Sequence, residues 1–444
     1  MCCIRINLVF ILMIGTVLTV SMSSNANCFV DIRHERKDLI VLDPELDGLD
    51  GSINQRETSQ PPEIDNNDHS EAKPIPVPKS ARELSKAELK RKQAIASCLA
   101  IYHTKYINAN VKRPWSIMHA LIGYGKDTQI LYNGRLHDGT EYLCANGIGD
   151  DRRIMFMANG QLRTNVGVGF QGHEGQLLAM LAQTDVPIDQ PMTVDGRRLT
   201  VDDLVRFEMQ TCRAGSELTF KLIGLAHYLD SDTTWKNDLG EDWSIPRLIK
   251  EEIKQPINGA ACGGTHRLMG LAYAVKKRIE QDKDVDGDWA RAQKYTRDYH
   301  SYAMQFQQRD GSFSTSFFES NASIADTERR LYSTGHIMEW YVFSLPEEQL
   351  NDERIVRGID AILRIMLSAP NHELEIGPRG HALHALRIYE ERVFGKSDYK
   401  TLIKENLAGT RQYSNQPPRN GVTNGRPASH HMRQPARGLL RFGR

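Results

Sequence analysis

A short segment recurs along this chain, and that recurrence limits the fold more than any total of composition does. The heptapeptide HRLMGLA from His266 aligns without gaps with HALIGYG from His119 and FKLIGLA from Phe220. GHIMEWYVFSL from Gly335 and GHALHALRIYE from Gly380 keep a Gly-His pair at the same opening, and GHEGQLLAML from Gly172 resembles them. Six related segments result, five with the histidine, and their starts lie roughly 45 to 70 residues apart. Each opens an apolar helical run. A unit of this size cannot bury its apolar face alone, so the pattern predicts stacked helical hairpins.

Two kinds of helix alternate. From Ala81, ARELSKAELKRKQAIASCLAIYHTKYI carries mixed charges on one side and Ala, Leu, Ile and Tyr on the other, the pattern of an outer amphipathic helix. Further outer candidates span 200–211, 245–254, 288–308 and 352–367, each ahead of a repeated segment. LMGLAYAV and IMEWYVFSL, within the repeats, are apolar nearly all round, as a helix covered on every side must be. Outer helix followed by inner helix, about six times, predicts an all-α fold of the (α/α)6 toroid type. The stretch 128–165 breaks the rhythm: turn signals alternate with short runs such as EYLC and RRIMFM, so a small irregular or β-hairpin insertion is expected there.

The ends differ from the body. Arg5 precedes the unbroken apolar or small run from Leu8 to Val20, too short for a membrane span, and Ser24 and Ala26 suit a cleavage site after Ala26. Residues 1–26 are therefore expected to be a signal peptide and the protein to be extracytoplasmic, whether secreted, periplasmic or held by an uncleaved anchor. Residues 27–80, rich in Asp, Glu, Asn, Pro and Ser, are expected to form a disordered tether, and 412–444 a basic disordered tail. Either end offers contact with a cell-envelope component. The folded domain is expected over 81–411. Lysine plus arginine equal aspartate plus glutamate at 56 each, so no global field points to nucleic acid, which is not an expected partner. After the signal, Cys28, Cys98, Cys144, Cys212 and Cys262 are odd in number and widely spaced, which permits at most two disulfides and leaves their pairing open.

From Gln305 to Phe313, QFQQRDGSF closes one outer helix and runs towards the inner helix of His336. It resembles the Gln-Asp-Gly-aromatic turn of squalene and hopene cyclases and their prenyltransferase relatives. That resemblance, covering roughly 81–410 in layout, implies an α/α toroid with a central cavity for an isoprenoid-like substrate. In such a turn the glutamine amide is expected to satisfy carbonyls at the helix end, Gly311 to make the reversal and Phe313 to pack beneath. The chain departs from the cyclases in chemistry. Their Asp-x-Asp-Asp acid has its nearest counterpart in Asp284, Val285, Asp286, Gly287 and Asp288, beside polar Gln281 and Lys283 as in a solvent loop. The Asp, Cys and His zinc set of protein prenyltransferases has no clear counterpart. Gly172-His173-Glu174-Gly175 is similar to helix openings in lanthionine-cyclase-like toroids, whose zinc is held by two cysteines and a histidine. Here Cys262, ahead of Gly263 and Gly264, lies at a comparable position, and a second cysteine is missing.

If the hairpins close into a ring, His119, His173, His266, His336 and His381 gather at the N-terminal ends of inner helices, where neutral imidazole is favoured. His173, His266, His336 and His381, with Glu174 and Glu339, are candidate catalytic residues, and Glu217 is a further acid nearby. A carboxylate beside imidazole suits general acid-base work, and paired carboxylates suit glycan cleavage. His119, His266 and His336 are candidate zinc ligands. The competing reading makes each histidine a hydrogen-bonding brace of its own hairpin and each acid a first-turn carboxylate. Trp115, Tyr332 and Trp340 are candidate cavity aromatics. The loop 282–287 matches the first half of a calcium loop, but Gln293 stands where an EF-hand needs glutamate. The expected function is binding, and processing, of a small-molecule, lipid or glycan ligand in a central cavity. The alternative is a non-catalytic envelope-binding or scaffold protein.

Overall fold

The computed structural model describes residues 61, 83–368, 373–395 and 399–403. The expected signal peptide, the basic tail and nearly all of the tether lie outside them. In chain order the helices are α1 (Lys86–His103), α2 (Pro114–Tyr124), a short α3 (Gly139–Cys144), α4 (Gln176–Gln183), α5 (Val201–Gln210), α6 (Thr219–Tyr228), α7 (Ile245–Ile253), α8 (Thr265–Glu280), α9 (Gly287–Ala303), α10 (Thr327–Ser344), α11 (Glu353–Ser368) and α12 (Ile376–Phe394). The described chain is mostly α. None of these helices is long and apolar enough to cross a membrane.

Local sequence sets the starts of the amphipathic helices. At α1 the Ser85 hydroxyl accepts from the Glu88 N–H while the Glu88 carboxylate accepts from the Ser85 N–H at 2.9 Å, a capping box. Thr200 and Asp203 repeat that device at α5, and Ser244 caps α7. These helices bury one stripe each, such as Ile355, Ile359, Ile362 and Met366 of α11. The repeated segments become α2, α4, α6, α8, α10 and α12, which are buried along most of their length. Each of the six packs on the next, from α2 through α4, α6, α8 and α10 to α12, and α12 packs back on α2. The amphipathic helices lie against this series: α5 on α4 and α6, α7 on α6 and α8, α9 on α8, and α11 on α10 and α12.

The glycines of the repeat explain why it recurs. A Cβ on Gly380 would stand 2.8 Å from the His119 carbonyl oxygen, and one on Gly270 3.2 Å from that of Thr219. Backbones of successive inner helices approach this closely only because no side chain intervenes.

The interruption at 128–165 holds two hairpins, Gln129–Tyr132 with Arg135–Asp138 and Met155–Ala158 with Gln161–Thr164. Each reverses at an Asn-Gly pair with positive φ, Asn133-Gly134 and Asn159-Gly160. Two further pairs, Pro191–Val194 with Arg197–Thr200 and Thr234–Lys236 with Asp242–Ser244, lead into α5 and α7.

The turn at Gln305 to Phe313 differs in detail from expectation. Gln307 Nε2 donates to the Gly311 carbonyl at 3.2 Å and to the Arg354 carbonyl at 2.8 Å, so the amide reaches the first turn of α11 and ties two outer helices together. Gly311 has φ +87° and Phe313 is buried, as expected. Cys98, Cys144 and Cys212 are buried thiols.

Candidate functional site

The histidine column converges. His119 (α2), His173 (just before α4), His266 (α8), His336 (α10) and His381 (α12) line one cavity of about 430 Å3, together with Trp115, Cys262, Phe317 and Tyr332. Ring centroids lie 3.7 Å apart for His336 and His381, 5.1 Å for His266 and His336, 5.4 Å for His266 and His381, and 5.9 Å for both His119 with His381 and His173 with His266. The expected location at helix starts holds for His266, the second residue of α8, and for His173. His119, His336 and His381 sit at least one turn inside their helices.

Four of the five are oriented through Nδ1. The i−4 carbonyl accepts from His119 (Trp115 O, 2.8 Å) and from His336 (Tyr332 O, 2.7 Å). Carboxylates accept from His173 (Glu217 Oε2, 2.7 Å) and His381 (Glu339 Oε2, 2.7 Å). A carbonyl oxygen only accepts, so Nδ1 of His119 and His336 carries the hydrogen and Nε2 keeps its lone pair. Burial pushes His119 down to about 3, and burial followed by the neighbouring histidines pushes His266 and His336 well below the usual range. Neutrality here comes from burial more than from helix ends. Burial alone would raise the Glu339 carboxyl, but the electrostatic pull of His381 and hydrogen bonds from His381 and His384 hold it well below the carboxylate range.

Cys262 reaches the cavity through an unusual backbone. Cys262, Gly263 and Gly264 have φ of +51°, +61° and +75°, three consecutive left-handed residues ahead of α8. A Cβ on Gly263 would lie 2.1 Å from Phe317 Cγ, so the ring of Phe317 closes over this corner because glycine leaves room. The Tyr332 hydroxyl donates to Cys262 Sγ at 3.0 Å. Behind the corner, Arg267 donates to the buried Glu252 carboxylate at 3.1 Å and to the Pro256 carbonyl, while Glu252 accepts from Leu218 N at 2.7 Å and Thr219 Oγ1 at 2.5 Å. One carboxylate thus joins the starts of α6 and α8. Both ring nitrogens of His266 are buried without a hydrogen-bond partner. Among the described residues one group has ligand atoms close enough for a metal ion: those of Cys262, His266 and His336, all within 4.8 Å of one another.

The structure separates other candidates. Glu174 is exposed, with its carboxylate 3.5 Å from Lys221 Nζ, and is not among the cavity residues. Glu339 lies behind His381 and positions it. His119 lines the cavity but stands outside the Cys262, His266 and His336 group. Trp115 and Tyr332 line the cavity, whereas Trp340 is core, stacked on His300 at 4.6 Å. Glu319 is the carboxylate of the lining, and it accepts from Gly259 N at 3.1 Å. A facing pair of carboxylates for glycan cleavage is therefore not found among the lining residues. Arg113 and Arg329 line the cavity too and were not singled out in the sequence. Cys262 was noted only by analogy; its signal was adjacency, since CGGTH places it four residues before His266. In the acidic turn 282–287, Lys283 pairs with Asp230 and Asp232, and Asp286 is the N-cap residue of α9 without a side-chain capping bond.

The chain matches no family model, no curated protein and no solved structure.

Proposed function

We propose that this chain is an (α/α)6-type toroid, similar in layout to squalene-cyclase and prenyltransferase-repeat proteins, whose central chamber binds and turns over a small ligand by acid-base chemistry. The cyclic packing of six inner helices supports the toroid. The observation that carries the chemistry is the set of buried imidazoles sharing one cavity with Nδ1 already committed. Each then presents Nε2 as its remaining base, and a brace for one hairpin has no need to share a chamber with four others. His381, backed by ionised Glu339, is the general base in this reading: Glu339 fixes its tautomer and would stabilise the imidazolium formed when His381 takes a proton.

The chamber is large enough for one small ligand. Five histidines, Arg113, Arg329 and Glu319 on its wall favour a polar, glycan-like molecule over an isoprenoid chain, with Trp115, Phe317 and Tyr332 as stacking surfaces. The signal peptide expected over 1–26 from its apolar run extends the proposal to an extracytoplasmic protein. The test is a binding and turnover screen of envelope glycan fragments against isoprenoid diphosphates, using the full chain and His381→Ala. Turnover of a glycan fragment reduced by about 100-fold in His381→Ala, with binding retained, is expected. Equal turnover by the two proteins overturns the assignment.

A further inference from the structure

We infer that Cys262, His266 and His336 form a zinc site with its fourth coordination position open to the chamber. The inference deepens the acid-base reading above and rests on it for the role of His381; it takes His336 out of the set of bases and makes its Nε2 a ligand, leaving His381 as the base. Three features point to a metal. His266 is 8% exposed, yet neither ring nitrogen has a hydrogen-bond partner, an arrangement that a bound cation resolves. His336 donates Nδ1–H to the Tyr332 carbonyl, which leaves Nε2 as the ligand atom and fixes the ring as outer-shell partners of metal-bound histidines do. The Tyr332 hydroxyl donates to Cys262 Sγ, the hydrogen bond a thiolate ligand accepts. Tyr332 thus supports two of the three ligands at once.

The donor set selects the ion. One thiolate and two imidazoles suit borderline Zn2+ and disfavour hard Mg2+ or Ca2+. Bond lengths of about 2.0 to 2.3 Å give tetrahedral edges of roughly 3.3 to 3.6 Å, so binding draws donors now within 4.8 Å together by no more than about 1.5 Å. The left-handed run from Cys262 to Gly264 turns Cys262 to the same position as His266, with three residues between them. Three protein ligands on a cavity wall leave the fourth position for water or a ligand oxygen, the pattern of catalytic zinc. His381, its ring tilted against that of His336 with centroids 3.7 Å apart, stands beside that position as a proton acceptor.

The test uses the full chain, stripped with chelator and titrated with Co2+. Binding of about one Co2+ per chain, with tetrahedral d–d bands and a thiolate-to-cobalt absorption displaced by Zn2+, is expected. Cys262→Ser abolishes the thiolate band with an unchanged far-ultraviolet helical spectrum, and Tyr332→Phe weakens Zn2+ affinity by about 10-fold. Absence of the band, its persistence in Cys262→Ser, or stoichiometric copper that Zn2+ does not displace each overturns the assignment. A cobalt spectrum retained in His381→Ala with unaltered turnover removes the acid-base reading and leaves the metal site standing. Loss of turnover in His381→Ala from a protein that takes up no metal does the reverse.

Discussion

His381 Nδ1 lies 2.7 Å from Glu339 Oε2, and both side chains are buried between α10 and α12. The other carboxylate oxygen accepts from His384 Nδ1 at 2.5 Å, so a single ionised group holds two imidazoles on the neighbouring helix. In Glu339→Gln, one amide oxygen accepts from one imidazole and the amide N–H2 faces the other. The unsatisfied buried donors should lower unfolding free energy by about 2 to 4 kcal/mol. Chemical denaturation at pH 7 measures this, and a midpoint equal to that of the parent protein would show that the bridge contributes nothing.

The buried pair of Lys221 on α6 and Glu208 on α5 should respond asymmetrically to substitution. Nζ and Oε2 are 2.9 Å apart and both side chains are about 1% exposed. Lys221→Met leaves a buried carboxylate without its cation and should cost about 3 to 5 kcal/mol. The double variant Lys221→Met/Glu208→Leu should regain most of that loss. A double variant no more stable than Lys221→Met alone would refute the pairing argument.

Acid should weaken the fold well above the carboxylate range. Burial lowers His300 to about 3, and burial together with Lys277 lowers His227 to about 4. A depressed folded pKa means the neutral form contributes fully above the unfolded value near 6.5 and is lost as pH falls towards the folded value. The window is therefore about 6.5 to 4 for His227 and about 6.5 to 3 for His300. A fully buried imidazole would add up to about 1.4 kcal/mol per pH unit, and His227 and His300, both partly exposed, each add less. Unfolding free energies from pH 7.5 to 4.5 should fall with this sign and fall less steeply in His300→Phe. An unchanged slope in that variant would contradict the assignment.

Gly380 sets the distance between His119 and His381. A methyl group there meets the His119 carbonyl oxygen, so Gly380→Ala must push α12 from α2. A loss of about 1 to 3 kcal/mol is expected, with altered ligand or metal binding in the cavity. Unchanged stability and binding would show that the close approach is not required.

The sequence alone determined the helical layers, because burial leaves a periodic trace: one-sided runs became α1, α5, α7, α9 and α11, and all-round apolar runs became the helices packed between them. It also pointed to a hairpin insertion within 128–165, where two hairpins form, although the run EYLC lies in the short helix α3 and not in a strand. The Asp195-Gly196 hairpin carries the same kind of turn signal, with positive φ at both residues, and lies outside every segment singled out in the sequence. Tertiary structure decided the site. Whether an imidazole reaches the cavity depends on how its helix packs in the fold, and the group that orients it can be remote in sequence: Glu339 lies 42 positions from His381. Spacing could not tell exposed Glu174 from buried Glu339, since both lie beside repeat histidines. Nor could it join Cys262 to His336 through Tyr332, a contact spanning 70 positions. Periodicity reports which face of a helix is covered, and only packing decides which side chains meet across it.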